Sequence, residues 1–396
     1  MKKVYILGAC RTPIGKMGGA LSSVSAVDLA AIVIREALRR AKIPAEQVDH
    51  VYMGCVIQAG LGQNIARQAS LKAGLPVTAT AQTVNIVCGS GLDAVNSAAR
   101  MILAGDAEIV IAGGTESMSN APFAVMNARY GYKMGSPMIP TPLVDTMVND
   151  ALWEAMNDYH MGMTAEIVAE KWGLTRPELD QFAAESQRKT AMAMAEGKFR
   201  EEIIPVMIQG KAGDLVIDTD EAPRPGITPE GLSRLKPAFK TDGMVTAGNS
   251  SGINDGAAAV ILVSQEKVEE LGLRPEAEWI GGALAGVDPA VMGIAPVRST
   301  QKLLQKLNIR MEDIDLIEAN EAFAAQSIPV QRELGIPDEK LNVNGGAIAL
   351  GHPVGATGCR ILVTLIHAME QRMARTGLAT LCIGGGMGCS TLIRRI

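Results

Sequence analysis

The feature that most constrains this chain is a repeat. Two stretches, one in the first third and one near the end, run through the same order of strand, glycine-bearing loop and helix. Val48-Asp49-His50-Val51-Tyr52-Met53-Gly54 opens the first, and Ile314-Asp315-Leu316-Ile317-Glu318-Ala319-Asn320 opens the second. Each is a short apolar strand entered through an Asp. Then come Val84-Asn85-Ile86-Val87-Cys88-Gly89-Ser90-Gly91 and Leu341-Asn342-Val343-Asn344-Gly345-Gly346, followed by helical runs over 92–103 and about 356–370. Both units close on a buried strand and a glycine cluster, at 108–114 and 379–386. Continuous apolar strands alternating with helices belong to sheets covered on both faces, because a half-exposed strand would alternate. The repeat therefore predicts an α/β fold of two similar halves, with a site where their strand ends meet.

Residues 122–249 read differently. They hold most of the prolines and the Met-rich helical runs 166–172 and 177–196, and are expected to form an inserted lobe. Strand-like 257–264 and helical 265–271 then rejoin the first half. The limits expected are 1–121 plus 250–275 for the first half, 122–249 for the lobe and 276–396 for the second half.

Composition closes off several classes of function. A length of 396 residues leaves room for two or three domains. With 47% hydrophobic residues, 3% aromatics and 21 Met, the core is built from Ala, Val, Ile, Leu and Met, as in a cytosolic α/β protein, and disorder is excluded. A net charge of −5 offers nucleic acid no electrostatic attraction. Gly or charge interrupts every apolar run before it reaches a membrane span. Lys2-Lys3 and the run 4–10 superficially resemble a secretory signal, but the run is too short and Arg11-Thr12-Pro13 interrupts it. It is read as a first buried strand. Residues 392–396 are no known organelle address, so a cytoplasmic protein is expected. The six cysteines, Cys10, Cys55, Cys88, Cys359, Cys382 and Cys389, form no C-x-x-C pair, which points to neither a zinc site nor a redox motif. Cys10, Cys55 and Cys359 read as small buried hydrophobes.

Three motifs are set aside. Gly248-Asn249-Ser250-Ser251-Gly252 has the G-x-S-x-G spacing of a serine nucleophile, but a nucleophile elbow needs a helix next, and Gly252, Asn254 and Gly256 follow instead. Gly384-Gly385-Gly386-Met387-Gly388 falls short of G-x-G-x-x-G, since Cys389 fills the sixth position. A G-x-x-x-x-G-K-[ST] phosphate loop does not occur.

Cys88 sits after a strand and before a helix. Unpaired N–H groups and the helix dipole would favour its thiolate there, while Gly89 and Gly91 leave room for a bulky substrate. By itself this fits a nucleophile and a buried structural cysteine equally well. The four histidines shift the balance. His50 and His367 read as structural or surface residues. His352, in Gly351-His352-Pro353-Val354-Gly355-Ala356-Thr357-Gly358, lies in a glycine-dense loop ahead of a helix and is poorly explained as core packing. It holds nearly the repeat position of Cys88, so the two can face each other as an activated Cys–His pair. Cys382 lies in a third glycine-rich strand end, where it can act as a second acid and base.

These residues resemble the thiolases over nearly the full length. Val87-Cys88-Gly89-Ser90-Gly91, Asn320-Glu321-Ala322-Phe323, Gly351-His352-Pro353 with Gly358, and Cys382-Ile383-Gly384-Gly385-Gly386-Met387-Gly388 match the family's four active-site loops in order and spacing. The resemblance implies two βαβαβαββ halves in a five-layered αβαβα sandwich with an inserted loop domain. Tyr159-His160-Met161-Gly162-Met163-Thr164-Ala165-Glu166 looks like the loop of the biosynthetic, acetoacetyl-CoA type, although Ile167 stands where that type often has Asn. The implied reaction joins two acetyl-CoA into acetoacetyl-CoA and coenzyme A. The alternative is a broader-range degradative 3-ketoacyl-CoA thiolase.

By the same resemblance Cys88 is the nucleophile, His352 takes its proton, and Cys382 moves the α-proton of the second substrate. His352 with a water held by Asn320 forms one oxyanion site; the backbone N–H groups of Cys88 and Gly384 form the other. Coenzyme A lies against Leu152, His160, Met161, Arg224, Phe239, Ala247, Ser251 and Met292, with Phe323 nearby. Pro223-Arg224-Pro225 alone would read as a surface turn. No metal or cofactor is implied, coenzyme A thioesters being substrates. A homo-oligomer is implied, a dimer of dimers joined through 128–140.

Overall fold

The computed structural model describes residues 2–131, 143–210 and 213–396. A 10-stranded sheet runs through it, in the order Leu316–Ala319, Thr376–Ile383, Met387–Arg395, Ala277–Gly286, Val4–Arg11, Asn254–Ser264, Ile109–Ser117, His50–Gly54 and Thr80–Val84, with Gly15–Lys16 beside Asn254–Ser264. The order reads alike from either end. Parallel pairing at each edge gives way to antiparallel pairing toward the middle. Where Thr80–Val84 flanks His50–Gly54, Leu341 makes a single parallel bridge to Ile317. The halves meet where Val4, Tyr5 and Ile6 pair antiparallel with Trp279, Glu278 and Ala277. The run 4–10 is thus a buried central strand, as the sequence predicts.

The two repeat aspartates do the same job. Asp49 Oδ2 accepts the backbone N–H groups of Glu108 and Ile109 at 2.8 and 3.0 Å, and Asp315 Oδ2 accepts those of Arg375 and Thr376, both at 2.8 Å. In each half the carboxylate therefore pins the start of the neighbouring parallel strand, satisfying donors that the ladder leaves open.

Helix Ala26–Ala41 and helix Ile65–Lys72 cover one face of the first half. Helices Ala295–Leu307 and Ala324–Leu334 cover a face of the second. Helices Ser90–Ala104 and Val354–Arg372 share a third apolar cluster with strand residues of both halves, among them Val260, Leu262, Leu381 and Ile393. Ile361, Leu362 and Val363 are all fully buried. Three successive helical residues point in three directions, so this helix is enclosed all round. Fully burying such a side chain contributes about 1.5–3 kcal/mol, which makes this cluster a main source of cohesion.

The two enclosed helices cross at their first turns. A Cβ on Gly358 would sit 2.3 Å from the Leu92 nitrogen, and one on Gly91 would sit 2.8 Å from that of Cys359. Only glycine allows this backbone-to-backbone approach. It brings the residues just ahead of each helix, Cys88 and His352, to the same end of the molecule.

The chain leaves the sheet at Ser117 and re-enters it at Asn254. Between them lie helices Met161–Lys171 and Arg176–Ala195 and three short two-stranded pairs. The first helix begins five residues before the expected 166, because His160 caps it: its Nδ1 accepts the Gly162 N–H at 3.0 Å. No such histidine signal is among the usual capping residues. Of the segment 128–140, residues 132–140 lie outside the described residues. Among the described residues no helix is long and apolar enough to cross a membrane.

Candidate active site

Past strand Thr80–Val84 the chain turns sharply at Val87, whose φ of +52° is rare for a β-branched residue. Ser90 knots this turn. Its hydroxyl donates to the Val87 carbonyl at 2.6 Å and accepts the Ile86 N–H at 3.0 Å. Gly89 then caps helix Ser90–Ala104, and half-buried Cys88 stands just ahead of it. The sulfur receives two backbone N–H groups, from Gly384 and from Cys88 itself. Burial nonetheless pushes the thiol up to about 11; the two N–H groups pull it back only in part, and the Glu116 charge adds to the rise. The expected thiolate is therefore a thiol at neutral pH. Loss of water outweighs the helix end, since two peptide dipoles replace less than a full hydration shell.

His352 is held on both sides. Its N–H donates to Asn254 Oδ1 at 3.0 Å, and its Nδ1 lies 2.6 Å from Thr357 Oγ1. The Thr357 hydroxyl spends its one proton on the Pro353 carbonyl at 2.8 Å, so it accepts from Nδ1–H. That tautomer leaves a lone pair on Nε2, which is buried and has no hydrogen-bond partner. Burial, then the Arg360 charge, lowers His352 to about 3, so it is neutral. A neutral imidazole with a free lone pair can serve as a base.

Cys382 is fully buried on strand Thr376–Ile383, where it pairs with Gly388. Burial pushes its thiol well up, and the charge of Cys88 adds to this, so the two sulfurs feel each other. Around it an apolar cluster gathers Met161, Met292, Ala322 and Phe323. Met161 leans on the glycine loop: a Cβ on Gly384 would meet its methyl at 2.4 Å.

Asn320, 1% exposed, follows strand Leu316–Ala319 and takes its backbone N–H to Thr380 O at 3.0 Å. Neither of its side-chain amide atoms has a partner. Its neighbour Glu321 accepts from Ser186 at 2.6 Å, Asn342 at 2.8 Å and the Ile348 N–H at 3.2 Å, fixing the loop from behind.

The expected coenzyme A contacts fall into three groups. His160 stacks on Phe239 with ring centres 4.7 Å apart, and Phe239 meets Phe323 edge-on at 6.2 Å. With Nδ1 accepting from Gly162, neutral His160 carries its proton on Nε2, the opposite tautomer to His352. Arg224 and Ala247, both exposed, line a cleft of about 240 Å³ that also includes Lys16, Ser250 and Gly351. Ser251 borders it and donates its N–H to Ala322 O at 2.9 Å. Leu152 packs in a separate cluster that touches Val87 and Cys88. Ser250 donates to Thr246 O at 2.7 Å, and a strand follows it, so it has no nucleophile elbow.

Residues 4–266 match the model of the thiolase N-terminal domain and residues 273–395 that of the thiolase C-terminal domain. The chain belongs to the thiolase family. It is 55% identical to an acetyl-CoA acetyltransferase of Syntrophomonas wolfei and 54% identical to one of Pseudomonas aeruginosa, in both cases over 100% of each chain. Among solved structures, it overlays the Bacillus anthracis acetyl-CoA acetyltransferase with a TM-score of 0.97 at 43% identity, and human mitochondrial 3-ketoacyl-CoA thiolase with 0.96 at 40%. Each overlay covers 100% of this chain and 99% of the other.

Sequence reasoning missed three residues of this thiolase's site: Glu116, Asn254 and Thr357. Buried Glu116 accepts the N–H groups of Val56, Ile57 and Gly355 at 3.0, 3.1 and 2.8 Å, and Cys55 Sγ lies 3.6 Å away. It thereby ties the loop after His50–Gly54 to the start of the His352 helix. The available signal was a carboxylate at the end of an otherwise uncharged buried strand.

Proposed function

We propose that this thiolase is an acetyl-CoA acetyltransferase, condensing two acetyl-CoA into acetoacetyl-CoA and coenzyme A through an acetyl-cysteine. His352 Nε2 takes the Cys88 proton as sulfur attacks the first thioester, and that proton leaves with coenzyme A. Cys382, whose thiol proton passes to the Cys88 thiolate left by the previous turnover, removes as thiolate a proton from the methyl of the second acetyl-CoA. The resulting carbanion attacks the acetyl group and releases Cys88. The thioester carbonyl acidifies the α-carbon, so the step needs an aimed base and oxyanion donors. The observation that carries most weight is the convergence on Cys88: two backbone N–H groups meet its sulfur, and Cys382 is close enough for its charge to matter. The unpaired amide of Asn320 supplies the second oxyanion site through a held water, and His352 adds an N–H donor there when Nε2 carries a proton.

Coenzyme A lies across the Arg224–Ala247 cleft with its pantetheine arm against His160, Phe239 and Ser251. Arg224 meets a phosphate, for which its fixed charge suits it. The broader architecture is read as two βαβαβαββ halves in a five-layered αβαβα sandwich, with 122–249 as the inserted lobe, supported by the three apolar clusters and the shared strand order. The working form is a cytoplasmic tetramer, a dimer of dimers; light scattering that finds a stable monomer at micromolar concentration would overturn it.

Steady-state thiolysis tests the substrate range. Acetoacetyl-CoA is expected to have the highest kcat/KM, because Met161, Met292 and Phe323 crowd Cys382. Equal or faster cleavage of longer 3-ketoacyl-CoAs would favour the degradative alternative, toward which Ile167 and the human 3-ketoacyl-CoA thiolase overlay point.

A further inference from the structure

Most buried side-chain polar atoms without a hydrogen-bond partner, among the described residues, sit on four residues: Glu318, Asn320, His352 and Arg360. Those of Asn320 and His352 serve the proposed reaction. Glu318 and Arg360 take no part in it, yet Glu318 Oε1 and Arg360 Nε, Nη1 and Nη2 are all unpaired. Both side chains are 2% exposed, and the nearest approach, Nη1 to Glu318 Oε2, is 3.8 Å. That distance supports attraction but not a hydrogen bond, and burial pushes the Glu318 carboxyl up to about 8 although the Arg360 charge pulls it back in part.

Arg11 shows what a satisfied buried arginine looks like here. It holds Glu202 at 2.6 Å and both oxygens of Asp220 at 2.7 and 2.8 Å. Thr364 also donates to Glu202, at 3.2 Å, so that carboxylate is already engaged. The charges bearing on Arg360 are Glu318, Arg11, Glu202 and Glu321, and Lys189 bears on Glu318; none of them hydrogen-bonds the Arg360 guanidinium. A guanidinium cannot shed its charge, and leaving its N–H groups bare in the interior is costly. Water suits these groups, since it needs two to four polar partners and finds three guanidinium nitrogens and Glu318 Oε1 without one.

We propose that Glu318 and Arg360 bind a small cluster of ordered water, and that this hydrated pair positions Asn320 and His352 relative to one another. Glu318 precedes Asn320 by two residues, on the same face of the strand end. Arg360 lies on the helix that His352 precedes, Val354–Arg372. Strand end and helix each carry one of the two residues, and the pair fastens them together. The Arg360 charge, the one felt at His352 among the described residues, also helps keep its imidazole neutral. This inference rests on His352 being the base.

Two measurements test it. A high-resolution crystal structure grown with bromide should show water bridging Arg360 to Glu318. A bromide ion at Arg360, or a direct Arg360–Glu318 hydrogen bond with no solvent between, would overturn the water site. The second compares Arg360→Met and Arg360→Lys by NMR titration of ¹⁵N-histidine and by acetylation rate. Arg360→Met should raise the protonation midpoint of His352 by about one pH unit and slow acetylation at least tenfold with little change in KM. Arg360→Lys, still charged and hydrated, should restore the midpoint and most of the rate. If Met does not fold, Arg360→Gln takes its place. An unmoved midpoint, or a lysine variant no better than the uncharged one, sinks the positioning role. A moved midpoint with an unchanged rate would leave the Arg360 charge acting on His352 but overturn the positioning role, and a His352→Gln variant that still acetylates normally would instead remove His352 as the base.

Discussion

Cys88 and Cys382 both stand where a strand runs into glycine, but the two halves present them differently. Cys88 sits on a strained turn ahead of a helix, partly exposed, with two N–H groups on its sulfur. Cys382 is still within its strand, fully buried among Met161, Met292 and Phe323, and only its own N–H reaches its sulfur. Exposure and aimed donors suit attack on an incoming thioester. A thiol in an apolar pocket, with no donor beyond its own, suits passing a proton to and from carbon.

Removing each sulfur tests that division most sharply. Cys88→Ala should lower acetyl transfer from labelled acetyl-CoA by at least about 10,000-fold, because the whole nucleophile is gone. A label that maps to Cys382 or Ser250 would reverse the assignment. Cys382→Ala should still become acetylated, yet lose α-proton exchange and condensation by about 100- to 10,000-fold. Cys382→Ser should rescue little, since a hydroxyl is far less acidic than a thiol. If instead both half-reactions fall together and serine restores them, Cys382 is only a packing residue.

The next effect concerns the buried base and acts on stability. An ordinary histidine titrates near 6.5, and burial and Arg360 take His352 to about 3. The unfolded chain therefore binds the extra proton first. The stabilisation is full above about pH 6.5 and is lost as pH falls toward 3, on the order of 5 kcal/mol in all. Urea unfolding of the wild type should weaken over that window, and His352→Gln should flatten the slope. An unchanged slope in the variant would mean that His352 is not buried neutral.

The glycine loops, and the places of Cys88 and His352 just ahead of two crossing helices, were legible because both leave local marks: a sharp turn favours glycine and a close approach needs it. Asp49 and Asp315 were visible as strand entries for the same reason. What was not legible acts over distance. Glu116 lies 239 residues from the Gly355 N–H it accepts, and Asn254 lies 98 from the His352 N–H it accepts. No spacing rule announces such partners. The rise of the Cys88 thiol was not legible either, because a sequence shows the helix start but not the water it loses. Arg360 was not singled out from the sequence, because nothing local marks a buried guanidinium as unpaired.

Glu116 gives a smaller effect on the Cys88 side. Its carboxylate accepts three backbone N–H groups, and an amide turns one acceptor oxygen into a donor facing N–H. Glu116→Gln should destabilise by about 1–3 kcal/mol and slow acetylation roughly tenfold, leaving the ratio of the two half-reactions unchanged. A loss confined to the proton-transfer half would place Glu116 with Cys382 instead.

The smallest effect separates the two histidines. His352 offers a lone pair from Nε2, whereas His160 offers a proton there, its Nδ1 being committed to the Gly162 N–H. A donor beside the acyl group orients a substrate carbonyl but moves no proton, so losing it should alter binding more than chemistry. His160→Asn keeps a good helix cap and loses both the stacking on Phe239 and the Nε2 donor. It should fold as stably as wild type, raise KM for acetoacetyl-CoA about 10-fold and leave kcat nearly unchanged. His160→Ala loses the cap as well, so it should cost about 1 kcal/mol of stability with the same KM. Equal KM in both variants with unequal stability would separate cap from substrate donor. A normal KM in the asparagine variant would leave His160 as a cap alone, and a large drop in kcat would make it a second proton carrier beside His352.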